Sequence, residues 1–265
     1  MTLSSTRQLF GSSFSEFEAQ KSLEPLKNVW AIGGGKGGVG KSLVTANVSI
    51  CLSLMGYKVT TIDLDLGGAN LHTCLGVPVP DKTLSDFLSK KVSNLEDLVT
   101  QTPIPNLQII SGAQDELGVA NIKQMHKNKI LSKLDSLKSD FVLFDLGAGT
   151  TFNTLDFFIH SSTGILVVLP EPTSIENTYR FIKSIFHRKL KLIEESLDVE
   201  PIINRVLNAK MGSNKLTPYD LLLELEVTHP EVGKKLISEI QNFRPKLIMN
   251  QVRTQADIDL SLIHI

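Results

Sequence analysis

The chain has 265 residues, with 27 Lys and Arg against 28 Asp and Glu and a formal net charge of −1, which gives no overall electrostatic case for nucleic acid. Hydrophobic residues at 42% and charged residues at 21% are ordinary globular values, so bulk disorder is excluded. The length suits one large α/β domain, or one domain with an insertion, and supports a substantial core.

Residues 1–27 read as a flexible, Ser-rich arm with Phe10, Phe14 and Phe17 at helix-like spacing. Such a stripe suits a partner or a membrane surface, or packs on its own domain. Residues 1–28 lack the apolar core of a signal peptide, and no apolar run is long enough to span a bilayer. The expected location is cytoplasmic, with at most peripheral contact at the inner face of the membrane. Cys51 and Cys74 fall in or near predicted core elements without metal-ligand spacing, and read as buried free thiols of a reducing compartment. The six His residues are scattered, with no pair at zinc-site spacing.

From Asn28 the chain alternates strand and helix, the pattern of a mostly parallel central sheet with helices on both faces. Asn28–Ile32 reads as a buried strand and Leu43–Met55 as a helix. A strand at Lys58–Ile62 leads into Asp63-Leu64-Asp65. Leu107–Ile110 is a short strand, followed by a helix over roughly Asn121–Leu137. Phe141–Phe144 delivers Asp145, and Ile165–Leu169 delivers Pro170-Glu171-Pro172. A long helix then starts near Thr173 or Ser174, either of which could cap it, with Glu176 in its first turn. The predominantly helical stretch at about 194–244 is far longer than the ~10–12 residues of a minimal crossover and reads as a small inserted subdomain. The strand Lys246–Met249 ends at Asn250.

The chemistry concentrates between the first strand and the first helix. Gly35-Lys36-Gly37-Gly38-Val39-Gly40-Lys41-Ser42 satisfies the phosphate-loop pattern of Gly, four residues, Gly, Lys and Ser or Thr. Backbone N–H groups of such a loop, with the positive end of the following helix, cradle phosphate oxygens. Lys41 would reach the β and γ phosphates, and the Ser42 hydroxyl would sit on Mg²⁺. Asp63 and Asp65 follow one strand and Asp145 another, where carboxylates serve a hydrolytic nucleotide site. Gly147 can bring a backbone N–H close to a phosphate because no side chain intervenes.

Lys36 is a second lysine within the loop, for which a generic phosphate loop has no use. Gly-Lys-Gly-Gly-Val-Gly-Lys-Ser resembles the deviant phosphate loop of the MinD/ParA superfamily of dimerising ATPases. The resemblance covers roughly Val29–Asp259, so residues 28–259 form the expected ATPase domain and 260–265 a tail. It implies a P-loop NTPase fold, ATP and Mg²⁺ as cofactors, and an ATP-dependent homodimer in which Lys36 reaches the partner's phosphates. Ile62–Asn70 resembles the first switch, with Asp65 orienting the attacking water and Asp63 in water-mediated contact with Mg²⁺. Asp145–Gly149 resembles the second switch, with Asp145 in the Mg²⁺ shell. Asn250 matches the residue that reads the adenine edge, favouring ATP over GTP.

Glu171–Tyr179 resembles the FlhG/FleN branch, which controls flagellar number and placement, and Glu171 falls where relatives touch the partner subunit's nucleotide. The implied function is a switch ATPase for spatial or numerical control of a structure such as flagella or the division site, acting through a protein partner or activator. Three alternatives share the scaffold: a ParA-like DNA-partitioning ATPase, drawing on His187-Arg188-Lys189 and Lys191; a small-molecule ligase; and a non-hydrolysing ATP-binding module. The basic run is expected to solvate the last turn of its helix, so nucleic acid is not favoured. The arm lacks the Asp-Gln-Ala motif by which flagellar regulators stimulate a GTPase partner. The chain stops within fifteen residues of Asn250 and so reads as truncated, any membrane-binding helix belonging to a longer form.

Overall fold

The computed structural model describes residues 26–65, 68–112, 124–197 and 218–254. The Phe stripe of the arm, the 260–265 tail, Leu66 and Gly67 of the expected first switch, and part of the 194–244 stretch lie outside the described residues. In chain order the strands are β1 (Leu26–Gly33), β2 (Val59–Asp63), β3 (Thr100–Gln101), β4 (Leu107–Ile110), β5 (Phe141–Asp145), β6 (Ser161–Val168) and β7 (Lys246–Met249). The α-helices are α1 (Lys41–Leu54), α2 (Leu71–Cys74), α3 (Leu84–Leu88), α4 (Gln124–Leu131), α5 (Phe152–His160), α6 (Pro172–Leu197), α7 (Pro218–Thr228) and α8 (Pro230–Gln241).

The strands form one seven-stranded sheet in the order β3-β4-β2-β5-β1-β6-β7, parallel except for the two-residue edge strand β3. Every residue of β2 is buried, as are the last five of β6, and the latter strand accordingly reads as an apolar run without alternation. β1 lies between β5 and β6, with Ile32 level with Asp145 on one side and Ile165 on the other. The chain therefore leaves β1 toward one half of the sheet and later returns to its other side. That reversal opens a crevice at the carboxyl end of β1. Under the sheet, Phe158 meets Phe181 edge-on at 5.4 Å and Phe144 meets Phe157 at 5.6 Å, fastening α5 and α6 to it.

The α/β expectation is met, with local corrections. The helix expected over 121–137 is instead α4 followed by a separate 3-10 turn, Leu134–Leu137. Ser132 and Ser136 bond back to the carbonyls of Lys129 and Lys133, and Lys138 closes the turn at φ 50°. Such local side-chain bonds compete with a continuing helix. The long helix starts at Pro172, whose fixed φ and missing N–H suit a first helical position. Thr173 and Ser174 are thus inside it, and the Ser174 hydroxyl accepts from the Leu169 N–H (2.9 Å) instead of capping. Cys51 and Cys74 are exposed, not buried. The basic run lies in the middle of α6, not at its last turn: Arg188 turns inward to Asp156, and Lys189 is buried with its ammonium over Phe243.

The molecule divides into two compact units, one within Pro25–Lys189 and Glu239–Ile265, the other within Leu190–Ser238. The nucleotide-loop residues and the carboxylates around them all belong to the first. Among the described residues no helix is long and apolar enough to cross a membrane.

Candidate functional site

Because β1, β2, β5, β6 and β7 are mutually parallel, their carboxyl ends share one edge of the sheet. The residues expected to bind nucleotide all follow those ends. The loop Gly34–Gly40 leaves β1 and turns into α1 through Gly40, which sits at φ 94° where L residues are strained. Lys36, Gly37 and Gly38 form its exposed crest, while Val39 and Lys41 are buried. A methyl group at Gly38 would meet nothing within 4 Å, so the cradle is open on its outer side.

Gly35 is fixed from another direction. A Cβ there would lie 2.2 Å from the Asn177 carbonyl oxygen of α6, so only glycine allows the loop to rest on that helix. Asn250, after β7, holds the far end. Its side-chain Nδ2 donates to the Val39 carbonyl at 2.9 Å, and its own backbone N–H donates to the Val168 carbonyl at 2.8 Å. The Asn250 amide nitrogen would stand 2.4 Å from a Cβ on Gly40, which leaves no space for a side chain there.

Beneath the loop are three carboxylates and a lysine. Asp145, 1% exposed, accepts from the Thr45 hydroxyl at 3.2 Å, with the Ser42 side chain close by. Burial pushes its carboxyl up to about 6, against the opposing pull of Ser42, Lys41 and Thr45. Asp63 is fully buried, and burial with the neighbouring Asp145 charge pushes it up to about 7. Its two oxygens accept the backbone N–H groups of Asp65 (3.0 Å) and Leu71 (3.1 Å), so Asp63 shapes the loop leading to α2. Asp65 is half-buried. A Cβ on Gly147 would lie 3.4 Å from the Asp65 carboxylate, placing the two expected switches side by side. Burial lowers the Lys41 pKa, and the charges of Asp145 and Asp65 oppose that shift.

Lys36 stands apart from this cluster. Its ammonium lies 3.9 Å from Glu171, with about half of each side chain exposed. Two residues of the site, Thr45 and Asn177, were not evident from the motifs. Thr45 carried a signal, since it is one helical turn after Lys41, and its hydroxyl also reaches the Lys41 carbonyl at 2.9 Å. Asn177 carried none, because its role is backbone contact.

The residues suit a nucleotide with a hard divalent cation. The loop offers an open backbone cradle, Lys41 a buried positive charge, and Asp145 and Ser42 oxygen donors beside it. Among the described residues no cluster of three or more His, Cys, Asp or Glu side chains could hold a metal by itself. One carboxylate and one hydroxyl completed by phosphate oxygens is how Mg²⁺ is commonly held.

The fold and loop define a P-loop nucleotide-binding protein. A family model described as an AAA domain matches residues 27–199. The antiactivator FleN of Pseudomonas aeruginosa is 31% identical over 164 residues, covering 61% of this chain and 57% of FleN. The septum site-determining protein MinD of Helicobacter pylori is 29% identical, covering 74% of each chain. The flagellum site-determining protein YlxH of the same organism is 33% identical, covering 58% of this chain and 52% of YlxH. The solved MinC:MinD cell division complex of Aquifex aeolicus matches in fold with TM-score 0.53 at 22% identity, covering 88% of this chain and 85% of that one. The chain belongs to the MinD/ParA superfamily of P-loop ATPases, close to its FleN/FlhG branch. It spans little more than half the length of the FleN and YlxH relatives.

Proposed function

We propose that this protein is a dimerising switch ATPase that hydrolyses ATP to ADP and phosphate and controls the position or number of a cellular structure such as flagella or the division site. One observation supports the reading above others: the two loop lysines are segregated. Lys41 is 8% exposed and turned toward Asp145 and Asp65, whereas Lys36 projects from the crest toward Glu171 and solvent. A charge held outward at the rim of a phosphate cradle suits a ligand bound by a second copy. The relatives named for septum and flagellum placement support the spatial role.

In the mechanism, the glycine loop binds phosphate oxygens through its N–H groups and Lys41 supplies charge at the β and γ phosphates. Ser42 and Asp145 would hold Mg²⁺, which offsets negative charge on the phosphates when bound, and Asp63 would act through water at its edge. Asp65 orients the attacking water, and the Gly147 N–H approaches the γ-phosphate. Asn250 reads adenine while bracing Val39, and Glu171 contacts the nucleotide of the partner copy. Lys36, supplied in trans, completes the site only in the dimer, much as an arginine finger does. Turnover therefore waits for assembly, and an activating partner would recognise the ATP-bound dimer. The site of action is the cytoplasm, with peripheral contact at the inner face of the membrane.

Sedimentation and phosphate release with ATP test the proposal in wild type and Lys36→Ala. The wild type should dimerise and hydrolyse, whereas the variant should bind ATP as a monomer and do neither. A variant that dimerises and turns over like wild type would refute the trans role.

A further inference from the structure

We propose that Thr45 is a positioning residue that sets the orientation of the Asp145 carboxylate toward the nucleotide-bound cation. The inference rests on the P-loop reading above and extends it to a residue outside the motif. Thr45 is completely buried on the second turn of α1, and its hydroxyl bonds to Asp145. Ser42, the motif's own hydroxyl, lies near the same carboxylate. Their separation of three residues puts both on the face of α1 that looks at the end of β5.

The geometry makes the contribution of Thr45 distinct. Its Oγ1 lies 2.9 Å from the Lys41 carbonyl and 3.2 Å from Asp145 Oδ1. A hydroxyl has one proton, so these two acceptors compete for it. A buried Thr in a helix satisfies its donor on the carbonyl four residues back without outside help. The two contacts share that proton as a three-centre bond, and the share that reaches Oδ1 is what Asp145 gains. A buried carboxylate without fixed donors would be free to rotate about its terminal torsion, which is soft. Thr45 on Oδ1 removes that freedom from one side. Asp145 is then left to present its remaining lone pairs at Ser42 and the phosphate cradle. Groups that hold a metal's carboxylate ligand commonly account for about 10–100-fold in metal affinity.

Thr45→Val removes the donor while keeping the branched shape, and Thr45→Ser keeps the donor. The probe is a fluorescent ADP analogue titrated in EDTA and again across a range of Mg²⁺. In EDTA, where Asp145 has no cation to meet, Thr45→Val should bind the analogue as wild type does. The Mg²⁺ concentration giving half of the magnesium-dependent gain should rise about tenfold in Thr45→Val and return to the wild-type value in Thr45→Ser. Each protein is compared with its own EDTA affinity, and Thr45→Ala supplies the same comparison should the valine prevent folding. A purely structural role would weaken binding equally with and without Mg²⁺, and that outcome overturns the proposal, as does an unchanged Mg²⁺ requirement. Should wild type itself gain no affinity from Mg²⁺, the assignment of Asp145 and Ser42 to the cation fails, and the role of Thr45 falls with it.

Discussion

At Gly35 the absence of one methyl group decides whether the phosphate loop can lie against α6. A Cβ would meet backbone atoms of Asn177 at 2.2 and 2.3 Å, and backbone cannot swing aside as a side-chain tip can. Overpacking of this kind costs about 1–3 kcal/mol. Placed in the loop, that is about 5- to 150-fold in affinity. Gly35→Ala should therefore lose that much ATP affinity in a calorimetric titration while its far-ultraviolet dichroism stays unchanged; undiminished affinity would mean that the contact does not shape the cradle. The buried carboxylates make a second expectation. Asp63 at about 7 and Asp145 at about 6 lie above the 3.8 of an ordinary Asp, so between those values the folded protein holds more protons than the unfolded chain. Stability then falls as pH rises through that window, by a few kcal/mol if both groups keep their shifts. The melting temperature of nucleotide-free protein should decline from pH 5 to pH 7.5, and Asp145→Asn should flatten the decline. The motif residues were legible because eight consecutive positions specify the loop. The contacts that hold it, Gly35 on Asn177 and Asn250 on Val39, were not, because each joins residues far apart in sequence and ends on a backbone carbonyl, which the sequence does not mark.

Among the elements, α4, α5 and α6 meet at a buried charge cluster. Asp156 on α5 is 2% exposed and accepts two bonds from Arg188 on α6, at 2.6 and 3.1 Å, and another from Lys127 on α4. The cations form a pincer around one anion, so removing the anion takes a carboxylate partner from both. Breaking such a buried pair costs about 3–5 kcal/mol. Asp156→Ala should destabilise the fold by that much in urea denaturation; a change within error would mean that water already reaches the cluster. This arrangement also explains why the basic run gave a misleading picture, since helical position alone does not say which cations turn inward. The same limit applies to α5. Phe152–His160 is a nine-residue helix, and Ser161 both ends it and begins β6, so no Gly or Pro separates the two periods. A strand such as β6 announces itself as an apolar run, whereas a short helix abutting a strand merges with it. The two-residue β3 is too brief to carry any pattern.

For the molecule as a whole, the sheet order brings Asp65 and Gly147 together at the crevice beside the loop, although their strands β2 and β5 are followed by different connections. That closeness was implied by family resemblance and not by any spacing in the chain. It also separates binding from turnover. Asp65 is half-buried and its backbone, not its carboxylate, is tied to Asp63, so the side chain is free to face a water. Its loss should spare ground-state affinity and raise only the barrier. Asp65→Ala should keep ATP and Mg²⁺ bound, lose roughly a hundredfold or more in hydrolysis, and accumulate as an ATP-loaded dimer in sedimentation. Lys36→Ala should do the reverse, remaining a monomer with ATP. The pair discriminates where either variant alone would not, because a generic defect in the loop would weaken binding in both. Normal hydrolysis by purified Asp65→Ala would remove it from the reaction. An Asp65→Ala protein that stays monomeric with ATP, under conditions where wild type dimerises, would show that the residue serves assembly and not water.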